Sequence, residues 1–209
     1  MKAVVKPDYK PDGTTGRAAV RPMLRRSKVL PREVRLIGGT LRGSKLPVAD
    51  RPGLRPTPDR VRETLFNWLG QDLTGWRVLD AFAGSGALGF EAASRGAAEV
   101  LLLEREPALV ASLKASQQRL KVETLRVQVA DALSWMGRTA PQAFELVFLD
   151  PPFDAGLAAK SVALAQRLLV PGGWLVLEAG EPLAELPAGL REHRRLKAGA
   201  VSAQLLQVD

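Results

Sequence analysis

Residues 144–153, Phe-Glu-Leu-Val-Phe-Leu-Asp-Pro-Pro-Phe, constrain this chain more than any other stretch. Phe144 to Leu149 is an apolar run with a single charge, of the length and composition of a strand buried in a parallel sheet. Asp150-Pro151-Pro152-Phe153 ends it. Two consecutive prolines give no N–H to a ladder and cannot enter a helix interior, so the chain leaves the sheet in a stiff, extended turn. That turn sets a carboxylate, carbonyls without neighbouring N–H donors and an aromatic ring at the carboxyl end of a strand. In open α/β sheets, ligands bind there.

The rest of the chain from Trp76 onward agrees with such a sheet. Apolar runs predict strands at 77–82, 99–104, 125–130, 144–150 and 174–178, with helices predicted at 87–95, 107–120, 132–137 and 157–169. Two last runs, 189–197 and 201–208, read as an antiparallel pair turning at 198–200. Alternation of this kind means a parallel, doubly wound sheet with helices on both faces.

Ahead of Trp76 the pattern changes. Residues 1–31 carry four prolines and scattered Lys/Arg without a sustained apolar period, and read as a flexible basic arm. Residues 32–48 read as two short strands around a glycine turn at Gly38-Gly39, decorated by Arg32, Arg35, Arg42 and Lys45. Thr57-Pro58-Asp59 predicts a helix start, with Thr57 as N-cap and Pro58 at the first helical position. That helix runs to about Leu69 and turns Val61, Leu65, Trp68 and Leu69 to one face. The domain reading is an arm over 1–31, a hairpin and linker over 32–56, and a catalytic domain over 57–209.

The first predicted strand runs into Asp80-Ala81-Phe82-Ala83-Gly84-Ser85-Gly86-Ala87-Leu88-Gly89. The three glycines match G-x-G-x-x-G between a strand and a helix, the context in which that motif binds a nucleotide cofactor. Asp80 directs the choice. A carboxylate in the loop opposes the pyrophosphate of a dinucleotide, whereas a cofactor bearing a sulfonium and an amino group favours negative charge there. That cofactor is S-adenosylmethionine. Glu104 ends the second strand, where an acid can accept both ribose hydroxyls. Asp131 follows the third and can receive the adenine amino group. Each position also has an ordinary structural role: Asp131 as a helix N-cap, Glu104 as a strand-end charge, Gly89 as a packing glycine. Three acids at the ends of three consecutive strands, with Asp-Pro-Pro-Phe on the fourth, are hard to explain as coincidence.

Asp-Pro-Pro-Phe in this setting suits reaction at an exocyclic amine on a nucleobase. The lone pair of that nitrogen is delocalised into the ring, so the amine is a poor nucleophile. The Asp150 carboxylate and Pro151 carbonyl together can hold both amine protons and favour a transition state with positive charge on nitrogen. Phe153 can stack on the base once it has left its helix. The alternative is a strand-end acid, a proline turn and a phenylalanine packed on the core.

Composition excludes several other chemistries. With no cysteine there is no disulfide, thiolate zinc site or cysteine nucleophile, and one histidine makes no histidine metal cluster. His193 lies among Arg191, Arg194 and Arg195, which reads as a solvated strand face. No apolar run reaches membrane-spanning length, and the leading residues lack the apolar segment of a secretory signal. A cytoplasmic protein is expected. The net charge is +8, and residues 1–62 hold 16 Lys/Arg against 5 Asp/Glu, whereas residues 63–209 hold 14 against 17. A near-neutral body behind a basic leading segment points to a polyanion contacted through the N-terminal third, or to a solubilising tail.

Four blocks carry a family resemblance: residues 35–48, residues 55–68, Asp80 to Gly89, and Asp150 to Phe153. Together they resemble the bacterial ribosomal small-subunit methyltransferase D family, the 16S rRNA (guanine(966)-N2)-methyltransferases, over about residues 33–209. The glycine loop and Asp-Pro-Pro-Phe are common to many amino-methyltransferases; the hairpin and the Arg-Pro-Thr…Val-Arg-Glu-Thr-Leu-Phe-Asn-Trp block point to this family. The resemblance implies a Rossmann-like class I methyltransferase fold: a seven-stranded, mostly parallel sheet with an antiparallel C-terminal strand pair and an N-terminal β-hairpin extension. It implies N2-methylation of one guanine in 16S rRNA of the 30S subunit, with S-adenosylmethionine as cofactor, no metal, no membrane and a monomeric enzyme. Carried over by motif, Asp80, Phe82, Gly84, Gly86, Glu104 and Asp131 bind the cofactor, and Asp150, Pro151 and Phe153 hold the base. Arg35, Arg42, Lys45, Arg55 and Arg60 face the RNA, and Thr57 and Arg60 to Glu63 border the cofactor or the RNA; helix capping and surface charge are their ordinary alternatives. The long basic arm departs from the family, as does the last strand, where an aromatic residue is expected near Ala203. Alternatives on the same motifs are an adenine-N6 methyltransferase, an NAD-dependent oxidoreductase and an RNA-binding protein without activity.

Overall fold

The computed structural model describes residues 33–49, 57–152 and 155–209. The basic arm, Arg55 and Phe153 lie outside these residues.

Seven strands form one sheet: β3 (Arg77–Asp80), β4 (Glu99–Glu104), β5 (Leu125–Val129), β6 (Phe144–Leu149), β7 (Leu169–Ala179), β8 (Leu190–Ala198) and β9 (Val201–Val208). They lie in the order β5-β4-β3-β6-β7-β9-β8. The pairs among β5, β4, β3, β6 and β7 are parallel, and β9 runs antiparallel to β7 and to β8. This is the expected α/β sheet with its antiparallel C-terminal pair. The strand order reverses between β3 and β6, which opens a crevice at their carboxyl ends. Asp80 and Asp150 stand on its two sides.

Helices α1 (Asp59–Trp68), α2 (Ala87–Ser94) and α3 (Pro107–Leu120) cover one face, and α4 (Ala132–Arg138) and α5 (Ala155–Leu168) the other. The central strands are buried on both faces, and their side chains divide by alternation. Val78, Leu102, Phe148 and Val176 pack toward α1–α3, whereas Leu79, Leu103, Leu149 and Leu177 pack toward α4 and α5. Glu145, the one charge in β6, is held at the sheet's amino end by Arg77 (Nη2–Oε1 2.6 Å).

Strands β1 (Glu33–Arg35) and β2 (Lys45–Pro47) pair antiparallel as a separate hairpin. The strands are shorter and the turn longer than the sequence suggests. Leu36 and Leu46 are fully buried in the same core as Val61, Leu65 and Val100, so the hairpin is bound into the body. Its turn closes on the end of α2, where Thr40 N–H donates to the Ser94 carbonyl (2.7 Å) and Leu41 N–H to Ser94 Oγ (2.9 Å). Gly39 has φ +71°, and a Cβ there would lie 1.8 Å from the Ser94 carbonyl oxygen, so only glycine fits this approach.

One expectation needs correction here, and a second is extended. Pro58, not Thr57, occupies the N-cap position of α1, and its carbonyl accepts from Val61 and Arg62 N–H. On the apolar face of α1, Phe66 and Arg62 are fully buried, while Trp68 is only partly so. Phe66 packs on Phe148 (ring centroids 5.8 Å apart) and lies under Arg95 (4.7 Å to the ring centroid), fixing α1 over the end of β6.

Candidate active site

Four adjacent strands, β4, β3, β6 and β7, carry or directly precede an acid at their carboxyl ends: Glu104, Asp80, Asp150 and Glu178. All four follow by two positions a residue that faces α1–α3 (Leu102, Val78, Phe148 and Val176), so all four project from that face. The sequence reading had singled out the first three. Glu178 had no assigned role.

Asp80 is buried, and its Oδ2 accepts the N–H of Gly89 (3.0 Å) in the first turn of α2. A Cβ at Gly89 would come within 3.2 Å of that oxygen and 2.8 Å of Leu102, so Gly89 is a packing glycine that also places the donor. Glu104 braces the other side of the loop. Its Oε2 accepts from Gly84 N–H (3.1 Å) and its Oε1 from Glu106 N–H (2.9 Å). Gly86 caps α2 at φ +79°, where a Cβ would lie 2.6 Å from Leu113 and 2.9 Å from Phe90. Two carboxylates thus hold a glycine loop against its helix, with no cation among their hydrogen-bond partners in the described residues.

Burial and like charge raise the proton affinity of these groups. Burial pushes the Asp80 carboxyl up to about 7, against the pull of the Gly89 N–H, with Asp150 and Glu104 adding to the rise. Burial likewise raises Asp150 to about 7. Glu178 is raised to about 8 by burial and by the charge of Asp150, opposed by the Thr57 hydroxyl and more weakly by Arg62. Such a site favours a cationic ligand, which would let the carboxylates ionise.

The remaining expected residues are distributed as follows. Asp131 is the N-cap of α4, its Oδ1 accepting from Ser134 N–H (2.9 Å), which lowers its pKa. It stands exposed after β5, next to the end of β4. Phe82 packs against the α4–α5 core. Pro151 is buried behind Asp150. Thr57 is buried, and its hydroxyl donates to Glu178 Oε1 (2.8 Å) across 121 residues of chain, so it belongs to the site and not to a helix cap.

An open cavity of about 580 Å³ adjoins Thr57, lined by Glu33, Val34, Arg35, Lys45, Pro58 and Asp59. Of the basic residues expected to face RNA, it collects Arg35 and Lys45, the latter paired with Glu33 (2.7 Å). Arg60 is exposed on the first turn of α1. Arg42 sits in the hairpin turn beside Ser94, at the opposite end of α2 from the glycine loop. Arg62 is wholly buried and reaches Asp59 (2.7 Å), Glu91 (3.3 Å) and the Arg35 carbonyl (2.8 Å). His193 is exposed at a bulge in β8, edge-on to Trp174 (5.1 Å between ring centroids). Among the described residues, no group of three or more His, Cys, Asp or Glu side chains is arranged to hold a metal ion. No described helix is long and apolar enough to cross a membrane.

Comparison with known proteins follows the same lines. Residues 34–207 match the family model described as Conserved hypothetical protein 95. Ribosomal RNA small subunit methyltransferase D of Escherichia coli K12 is 43% identical over 183 residues, covering 84% of this chain and 90% of that one. The Haemophilus influenzae protein of the same name is 46% identical over 146 residues, covering 68% of this chain and 74% of its own. The solved structure of the Escherichia coli protein yhhF superposes with a TM-score of 0.77 at 39% identity, covering 85% of this chain and 98% of that one.

Proposed function

The chain belongs to the ribosomal RNA small subunit methyltransferase D family, and we propose that it methylates the exocyclic N2 amine of one guanine in 16S rRNA of the 30S subunit, acting as a monomer in the cytoplasm with S-adenosylmethionine as cofactor. The observation that carries this reading is the row of acids on four adjacent strands, with Asp80 and Asp150 at the carboxyl ends of the two strands between which the order reverses.

The residues present fit that cofactor. Asp80 and Glu104 crowd negative charge around the glycine loop, which suits a sulfonium and an amino group and repels a pyrophosphate. Asp80, Gly84, Gly86, Glu104 and Asp131 would hold it. When bound, it supplies an electrophilic methyl group.

Asp150 and the Pro151 carbonyl would fix both protons of the guanine amine and stabilise the positive charge that builds on nitrogen. Positioning of the base by the rigid Asp-Pro-Pro turn supplies a further part of the acceleration, and no covalent enzyme intermediate is required. Arg35 and Lys45, in the cavity beside Thr57, and the exposed Arg60 on α1 would take phosphates flanking the target nucleotide.

The test is incubation of the purified protein and S-adenosylmethionine with small subunits lacking the modification, alongside naked 16S rRNA and DNA, followed by nucleoside mass spectrometry. N2-methylguanosine on subunits is the expected product. N6-methyladenosine would keep the chemistry and overturn the target.

A further inference from the structure

Glu178 has no counterpart in the reading above, yet it is among the most confined charges in the molecule. It is 3% exposed. Strands β6 and β7 are parallel neighbours with Leu149 opposite Leu177, so Asp150 and Glu178 leave the sheet side by side on the same face. On the other side of β7, β9 sets the apolar Ala203 opposite Glu178. From α1 the only cation facing it is Arg62, whose guanidinium hydrogen-bonds to Thr57 and Arg35 carbonyls, Asp59 and Glu91. From β3, Asp80 adds a like charge. The one hydrogen bond Glu178 receives among the described residues comes from the Thr57 hydroxyl.

Among the described residues neither of these neighbouring buried carboxylates has a hydrogen-bonded cation; such a pair cannot both ionise at low cost and is most stable sharing one proton. Thr57 leads outward from this pair. It lines the 580 Å³ cavity with Arg35, Lys45 and Pro58, so the side chain bonded to Glu178 also meets solvent space.

We propose that Glu178 is the proton-relay partner of Asp150, taking up with it the proton that the target amine releases and passing it past Thr57 to the cavity. The proposal rests on the methyltransferase reading. In the step, the nitrogen lone pair forms the new N–C bond while the electron pair of the broken C–S bond stays on sulfur. The N–H bond then breaks, its electrons neutralise the nitrogen, and the proton forms an O–H bond on the carboxylate pair. The pair passes through a doubly protonated, neutral state and returns one proton to water in the cavity. Glu178 acts through Asp150, as a positioning and relay residue.

Glu178→Gln and Thr57→Val are compared with the wild-type chain by single-turnover methylation of unmodified subunits across pH 6–9, with calorimetric S-adenosylmethionine affinity as the check of folding. The wild-type rate rises with pH through a neutral inflection. Glu178→Gln removes the group that shares the released proton, so its plateau falls on the order of 100-fold, while the inflection, set by the burial of Asp150, stays near neutral, with cofactor affinity nearly unchanged. Thr57→Val lowers the rate and Thr57→Ser restores it. In cofactor-free protein near pH 7, the wild-type minus Glu178→Gln infrared difference shows one protonated carboxyl. A wild-type plateau in Glu178→Gln, or no protonated carboxyl in the difference spectrum, overturns the relay. Absence of any N2-methylguanosine from the wild-type chain overturns the underlying reading itself and the relay with it.

Discussion

Arg62 and Glu91 form an ion pair, Nη1 to Oε2 at 3.3 Å, in which neither side chain has any exposed surface. Glu91 is the hub. It also accepts from Arg95 (2.8 Å) and from the backbone N–H groups of Ile37 (2.8 Å) and Gly38 (2.7 Å) in the hairpin turn. One carboxylate on α2 therefore ties together α1, the hairpin and the helix that begins at the glycine loop.

Glu91→Ala removes the carboxylate that Arg95, Arg62 Nη1 and two hairpin N–H groups share, leaving Arg62 with Asp59 as its remaining acidic partner. Removing one partner of a buried pair costs about 3–5 kcal/mol, and urea unfolding should show a loss of that order. The native-state signature is local: trypsin should cut at Arg35 or Arg42 before global unfolding. A stability within about 1 kcal/mol of wild type would mean that the pair is replaceable and the hairpin is held by Leu36 and Leu46 alone.

The raised carboxyls make cofactor-free stability depend on pH in the direction opposite to ordinary acids. Asp80 titrates at about 7 in the folded protein against 3.8 for the free side chain. The folded state therefore binds the proton more tightly, and its contribution is full below about pH 4 and is lost as pH rises through about 7. Asp80→Asn should raise the melting temperature of cofactor-free protein most at pH 8, less near pH 5, and have little effect only below about pH 4. Calorimetry gives the complementary readout. S-adenosylmethionine binding near pH 7 should release protons and tighten as pH rises, because a sulfonium favours the ionised carboxylates. Binding with proton uptake would contradict the assignment of these acids to the cofactor.

Gly86→Ala forces a side chain into φ +79° and into Leu113 and Phe90. The strain is on the order of 1–3 kcal/mol, and relief would shift the first turn of α2, where Gly89 donates to Asp80. Cofactor affinity should fall about tenfold or more, the equivalent of 1.4 kcal/mol, with the sheet intact by circular dichroism. Unchanged affinity would place the cofactor elsewhere than this loop.

The fold was legible because its strands are apolar runs bounded by glycine and proline, and local signals of that kind survive into the structure. Asp80, Glu104 and Asp150 were legible for the same reason: each ends or follows such a run. Glu178 also ends one, but its meaning comes from the β6–β7 register and from Thr57, 121 residues away, neither of which any local pattern encodes. Arg62 reads as one more charge in a basic segment until Glu91, on another helix, pairs with it. The sequence predicts a strand only over 174–178, after a helix to 169, yet β7 starts at Leu169 and runs through Pro171. The prolyl residue is exposed where the β6–β7 pairing is irregular, so its missing N–H disrupts no buried ladder.

Asp150→Asn separates holding the base from holding the cofactor. The amide keeps the shape of the acid and one acceptor oxygen but loses the negative charge that stabilises the developing positive charge on the amine. Loss of one preorganised charge-stabilising group of this kind lowers turnover on the order of 100- to 1,000-fold. S-adenosylmethionine contacts assigned to Asp80 and Glu104 remain, so its affinity should change far less than the rate does. Quench-flow turnover and calorimetric affinity on the same preparation make the comparison. If affinity and rate fall together, Asp150 belongs to the cofactor site, and the base must be held by another group on the rim of the crevice.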